Sequence, residues 1–375
     1  MAGIYIHIPF CKKKCTYCDF YTEVAPKFIP SLVDSIVKEL QIRKDYLQNA
    51  PINTIYFGGG TPSILNSEEF DRIFKTIYEL FSVSKEAEIT FEANPDDLTS
   101  DYLASAINLP FNRISIGIQS FDDDDLKRIN RRHTGIEAIE AVKNAQLAGF
   151  DNLSIDLIYG LPFQTLVAWE KQLDIALSLN VQHISSYGLT YEEGTALWKQ
   201  REKGKVTNVD DETMNAMYLL LLEKVQQKGF EAYEVSNFAL PGRRSRHNTS
   251  YWKQEPYLGI GPSAHSYDLD SRQWNVSSIK EYIKALETNT VYFEREELTL
   301  YDRYNDFVMV SLRISDGLDK AMLEKEFGTE LAEYCMQNAQ SFIENGKVSD
   351  SAGKLRLTPA GIMISNLILI ELMKV

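Results

Sequence analysis

Short β-branched or aromatic runs alternate with segments of helical periodicity over the first half of the chain, and this alternation restricts the fold more than any other feature. The runs are Ile4–Ile8, Thr54–Phe57, Glu88–Phe91, Arg113–Ile116, Leu153–Ile158 and His183–Tyr187. Between them, apolar residues recur at three- and four-residue spacing over Phe28–Tyr46, Ser67–Phe81, Ser100–Ile107, Asp123–Asn130, Gly135–Ala148 and Leu166–Leu179. A strand, a helix and another strand in succession imply right-handed crossovers and a parallel sheet, either open and doubly wound or rolled into a closed or partial barrel. The residues that close the strands favour the barrel. Cysteines follow the first run, Gly58-Gly59-Gly60-Thr61-Pro62 the second, Glu92 and Asn94 the third and Gln119 the fourth, while Asp156 lies in the fifth. Such side chains converge on one rim when successive βα loops build one site.

The cysteines say what that rim holds. Of four, Cys11, Cys15 and Cys18 fall within eight residues directly after the first strand, and Cys335 stands alone. Zinc ordinarily takes four ligands from paired elements, and no second pair is near. Three soft thiolates in one loop suit an iron-sulfur cluster, in which one iron lacks a protein ligand and is open to amino and carboxylate groups. Cys335 reads as a small buried hydrophobe. Gly59, Gly60 and Thr61 offer backbone groups to a ligand at close approach. Taken singly, Glu92, Gln119, Arg131 and Asp156 also fit ion pairs or caps, but their recurrence after successive strands points to one polar site.

Beyond a long helical pattern at Asp211–Lys228 the alternation stops. The expected organisation is a barrel over residues 1–232, a connecting region over 233–298 whose part 233–275 reads as a functional insert or lid, and a smaller, mainly helical, winged-helix-like domain over 299–375 with a hairpin near Lys347–Leu357. A net charge of −14 argues against a nucleic-acid partner. No apolar run of about 20 residues is present to span a bilayer, and no basic region precedes the first apolar segment, so the cytoplasm is the expected compartment.

The CxxxCxxC loop, with Tyr5-Ile6-His7-Ile8-Pro9-Phe10-Cys11, the triple-glycine loop, Glu92-Ala93-Asn94-Pro95, Gly117-Ile118-Gln119-Ser120-Phe121 and Asp156-Leu157-Ile158-Tyr159-Gly160-Leu161-Pro162, resembles the radical S-adenosylmethionine superfamily in its coproporphyrinogen dehydrogenase-like branch. The resemblance implies an α/β fold with a partial (β/α)6 barrel. It also implies a four-iron, four-sulfur cluster on Cys11, Cys15 and Cys18, and S-adenosylmethionine held by Tyr5, Gly59, Gly60, Thr61, Glu92, Gln119, Arg131 and Asp156.

Within that branch the chain is similar to the haem chaperones, which bind haem and pass it to haemoproteins such as respiratory cytochromes. The alternative is the oxygen-independent dehydrogenase that decarboxylates propionates. The dehydrogenase pattern has a fourth cysteine where this chain has Phe20, and a longer segment before its first strand, where Tyr5 here is almost at the start. His247-Asn248-Thr249-Ser250-Tyr251-Trp252 matches the HNxxYW motif of the chaperones. His247 is thus a candidate haem ligand, with His265 a weaker second and Arg243, Arg244 and Arg246 able to meet propionates. A hydrogen-bonded structural histidine is the other reading. Peripheral contact with membrane proteins is compatible with the resemblance, as is a monomer or a homodimer.

Overall fold

A computed structural model describes residues 1–374. The first six strands, β1 (Ala2–Ile8), β2 (Ile52–Gly59), β3 (Val83–Ala93), β4 (Arg113–Gln119), β5 (Leu153–Tyr159) and β6 (His183–Gly188), are linked through α1 (Ile29–Ile42), α2 (Ser67–Leu80), α3 (Ser100–Ala106), α4 (Asp123–Arg128), α5 (Gly135–Leu147) and α6 (Leu166–Ser178). Each strand pairs in parallel with the next in the chain. That unreversed order is the wall of a barrel; a doubly wound sheet reverses its order at a switch point. Sequence-encoded caps start several helices. Asn66 with Glu69 and Thr134 with Glu137 form capping boxes, and Thr165 caps the Ala168 N–H.

Alternation along the strands gives the wall two unlike faces. Ile4, Ile6, Phe57 and Phe91 are fully buried in the main core. There the Phe111 ring lies 4.5–5.6 Å, between centroids, from those of Phe57, Phe70, Phe74 and Phe91. The opposite face carries polar residues from each of these six strands and encloses the site.

After α7 (Ala196–Glu202) and α8 (Asp211–Gln227), the chain adds wall on both sides. β7 (Glu231–Ala232) and β8 (Asn237–Ala239) run antiparallel beyond β6, and α9 (Arg246–Trp252) then crosses to β9 (Tyr257–Ile260), which pairs in parallel with β1. β10 (His265–Tyr267), β11 (Ser271–Asn275) and, after α10 (Ile279–Thr288), β12 (Phe293–Glu297) complete an open sheet of twelve strands. Residues expected to form a lid are therefore structural wall. Short strands with buried positions, such as Tyr257–Ile260, escape a periodicity search tuned to longer runs. Glu39 of α1 joins this flank to the barrel. Its carboxylate accepts from the Gly261 N–H (2.8 Å), Asn275 Nδ2 (2.8 Å), the Tyr282 hydroxyl and Arg43.

The C-terminal unit comprises α11 (Leu300–Arg313), β13 (Leu318–Asp319), α12 (Lys320–Glu344), β14 (Val348–Ser351), β15 (Lys354–Leu357), α13 (Pro359–Ile362) and α14 (Ser365–Leu372). It is mainly helical, with a small antiparallel sheet and a core of its own around Tyr304, Val308, Leu331, Cys335 and Leu369. Within α12 the helix is broken at Gly328, whose φ is +84°. Among the described residues, no helix is long and apolar enough to cross a membrane.

Candidate functional site

A cavity of about 590 Å³ opens at the carboxyl ends of β1–β6, lined by all three clustered cysteines together with Gly59, Gly60, Thr61, Glu92, Gln119, Arg131 and Asp156. The cysteine loop is tied at both sides. The Cys11 N–H donates to the Glu23 carbonyl (3.1 Å), the Thr16 N–H to that of Ile129 (3.1 Å), and Asn130 Nδ2 to that of Lys14 (2.7 Å). Thr61 Oγ1 donates to Cys11 Sγ (3.4 Å) and Arg131 Nη1 to Cys15 Sγ (3.6 Å). Burial pushes the Cys18 thiol up to about 11 and raises that of Cys11, neighbouring thiols adding to both. A cationic group in the cavity would offset that penalty and favour thiolates.

Among the described residues, no three His, Cys, Asp or Glu side chains converge closely enough for a single metal ion. A cubane cluster is wider than one ion and takes its sulfurs further apart. The loop-borne thiols, the donors aimed at two of them and a buried Arg131 Nε without a partner fit such a group and a polar ligand beside it.

The triple-glycine loop is shaped by what lies beneath it. Gly59 has φ +107°, and a Cβ there would come within 2.4 Å of the His7 ring; one on Gly60 would come within 2.6 Å of the Phe10 carbonyl oxygen. Only glycine brings this backbone flush against β1.

Across the cavity, Glu92 accepts from the Tyr56 hydroxyl (2.8 Å) and the Gly59 N–H (3.1 Å). Burial raises its carboxyl to about 7, the nearby Asp156 contributing, while these hydrogen bonds oppose the shift. Asp156 accepts from Ser115 Oγ (3.3 Å) and is raised to about 6, again mainly by burial. Arg131 Nη2 donates to Asn94 Oδ1 (2.6 Å) and to the Gly117 carbonyl. Gln119 ends β4 with φ +66°, a strained conformation for glutamine at the cavity wall.

Three candidate site residues, Tyr5, His247 and His265, do not line this cavity. Tyr5 lies a layer lower, its hydroxyl 3.0 Å from His7 Nδ1. His247 is buried on α9, with Nδ1 2.8 Å from Thr54 Oγ1 and Nε2 2.8 Å from the Tyr251 hydroxyl. Both ring nitrogens are engaged, and burial lowers the imidazole to about 3, so it is neutral. The expectation of an imidazole presented to haem is not met in this structure. The i to i+4 spacing on α9 places the Tyr251 hydroxyl on the His247 ring. The nearby arginines are also engaged: Arg244 pairs with Glu231 (3.1 Å), and Arg246 donates to the Glu86 carbonyl. His265 stacks on Trp274 at 6.1 Å and does not line the cavity.

A second set of polar residues, with no role assigned from the sequence, lies below the rim. Tyr56, Arg113, Ser154, His183, Ser185, Tyr187 and Asn248 enclose a small polar space of about 50 Å³ together with Glu92 and Asp156. Arg113 is almost wholly buried, and Nη1 donates to Asn152 Oδ1 (2.6 Å). A signal was present. Glu88-x-Thr90-x-Glu92, Arg113-x-Ser115, Ser154-x-Asp156 and His183-x-Ser185-x-Tyr187 place polar residues at period two, which marks one face of each strand.

Residues 5–174 match the family model of the radical SAM superfamily, and residues 298–364 match that of the HemN C-terminal domain. The chain is 32% identical over 371 residues to the haem chaperone HemW of Bacillus subtilis, covering 98% of this chain and 97% of that one. It is 31% identical to the HemW of Lactococcus lactis, covering 96% and 94%. The structure is similar to that of the coproporphyrinogen III oxidase HemN from Escherichia coli, with a TM-score of 0.86 at 23% identity, covering 100% of this chain and 90% of that one. That likeness shows a shared fold. The chain belongs to the radical SAM superfamily, among the HemW-type haem chaperones.

Proposed function

We propose that this protein binds haem and passes it to acceptor haemoproteins, and that it does so as a cytoplasmic protein carrying a four-iron, four-sulfur cluster on Cys11, Cys15 and Cys18. The observation that carries this reading is the likeness to HemW over almost the whole chain. Phe20 adds to it. Where the dehydrogenase pattern has a fourth cysteine, this chain puts a phenyl ring that is 64% exposed on the rim of the cavity. An exposed aromatic there suits a flat apolar macrocycle and supplies no metal ligand.

In this reading Gly59, Gly60 and Thr61 hold the amino-acid end of S-adenosylmethionine, Glu92 and Asp156 accept from its ammonium or ribose hydroxyls, Arg131 meets its carboxylate, and Gln119 packs beside it. Tyr5 supports the site from below through His7. When bound, the cluster supplies an electron and an open iron beside that ligand. Acceptors would include respiratory cytochromes, reached by peripheral contact with membrane proteins, and the working unit would be a monomer or a homodimer.

The test pairs a spectral titration with a turnover assay on the anaerobically reconstituted protein. A saturable Soret band on adding haem, with no decarboxylation of coproporphyrinogen III, supports the chaperone reading. Robust decarboxylation without saturable haem binding would replace it with the dehydrogenase.

A further inference from the structure

The motif helix α9 lies under the barrel interior, at the end opposite the cysteine loop, and its contacts run towards Glu92. At its start, Glu88 of β3 accepts from the backbone N–H groups of Arg246 and His247, both at 3.0 Å. Glu88 and Glu92 share one strand and one face. At the centre of the helix, the His247 ring stacks on Tyr56, with centroids 4.9 Å apart and planes at 20°, and on Tyr5 at 6.3 Å and 25°. Tyr251 and Thr54 hold the two imidazole nitrogens. Tyr56 in turn donates its hydroxyl to Glu92 Oε1, whose partner oxygen accepts from the glycine loop.

We propose that His247 is a positioning residue for the cofactor cavity: clamped between Thr54 and Tyr251, it forms the platform that holds the Tyr56 ring, and through the Tyr56 hydroxyl it fixes the Glu92 carboxylate against Gly59. The imidazole suits this place. It is flat enough to stack, and it has one donor and one acceptor for the hydroxyls of Thr54 and Tyr251, so both ring nitrogens are paired. An aliphatic side chain would satisfy neither hydroxyl. Gly3 completes the fit, because a Cβ there would meet Thr54 Oγ1 at 2.8 Å and the His247 ring at 3.5 Å.

The inference rests on the reading that S-adenosylmethionine occupies the cavity, and its test separates the two. The reconstituted holoprotein is titrated with S-adenosylmethionine as wild type, His247→Ala, Tyr56→Phe and the double variant, with iron content and the haem titration recorded for each. Losing the platform should weaken cofactor affinity about tenfold, the scale of one misplaced charge-assisted hydrogen bond, with iron content unchanged. Because both residues act through one contact, the double variant should bind no more weakly than Tyr56→Phe alone. His247→Gln, which keeps a planar donor and acceptor, should recover most of the affinity.

Unchanged affinity in His247→Ala, or fully additive losses in the double variant, would overturn the inference. So would loss of a histidine-ligated Soret band with cofactor affinity intact. Wild-type protein that fails to bind the cofactor at all would instead overturn the reading on which the inference rests. If His247→Ala does not fold, Thr54→Val and Tyr251→Phe each remove one clamp and are judged by the same criterion.

Discussion

The imidazole of His247 lies on the ring of Tyr56 with 4.9 Å between centroids, and Tyr56 donates its hydroxyl to Glu92 2.8 Å away. A residue of the motif near 250 thus touches the site built by the first strands through one intervening ring. The contact crosses almost two hundred positions of sequence, and it explains why a histidine that looks like a metal ligand is neutral, doubly hydrogen-bonded and enclosed.

Substituting a clustered cysteine should remove the iron. Cys18→Ala is expected to lose most bound iron and sulfide after anaerobic reconstitution, since the remaining two thiolates cannot hold three corners of a cluster. Cys335→Ala, in the separate C-terminal core, should retain both. Equal iron in the two variants would remove the cluster from Cys18.

Cofactor binding should release protons near neutrality. In the free protein, burial raises Glu92 from 4.5 to about 7 and Asp156 from 3.8 to about 6. Raised carboxyls bind protons more tightly in the folded state, so the stability they contribute is fullest below pH 4 and is lost as pH rises through 6 to 7. A ligand that needs the ionised carboxylates must expel those protons. Affinity for S-adenosylmethionine should therefore rise between pH 5.5 and about 7.5, with proton release visible by calorimetry in buffers of different ionisation enthalpy. Glu92→Gln should abolish most of the release.

Glu39 should matter for stability far from the cavity. Glu39→Ala leaves Arg43 buried without its partner and frees the Gly261 N–H, Asn275 and Tyr282 from their shared acceptor. A loss of about 3–5 kcal/mol is expected in chemical denaturation of the apoprotein, as for a broken buried ion pair. A change below about 1 kcal/mol would mean that the flank and α1 are held together without the Glu39 carboxylate.

The alternation of strands and helices was legible because each of the first six strands carries a β-branched run and each longer helix an apolar stripe. The rim was legible for a local reason: Cys11, Cys15 and Cys18 fall within eight residues, and Gly58 to Gly60 are consecutive. The flank was not, since β7 to β10 are two to four residues long and owe their pairing to neighbours already in the sheet. Nor was the environment of His247, because its partners Thr54, Tyr56 and Tyr5 come from the other end of the chain. A motif gives residue types and spacing; burial is set by what packs against them.

The most direct test of the account is haem transfer. Reconstituted protein loaded with one equivalent of haem is mixed anaerobically with an apo-cytochrome, with and without S-adenosylmethionine, and the two Soret bands are followed. The band of the loaded protein should decay as that of the acceptor grows, faster than from free haem at the same concentration. Haem that stays on the protein, or an acceptor that fills no faster than from free haem, would contradict it.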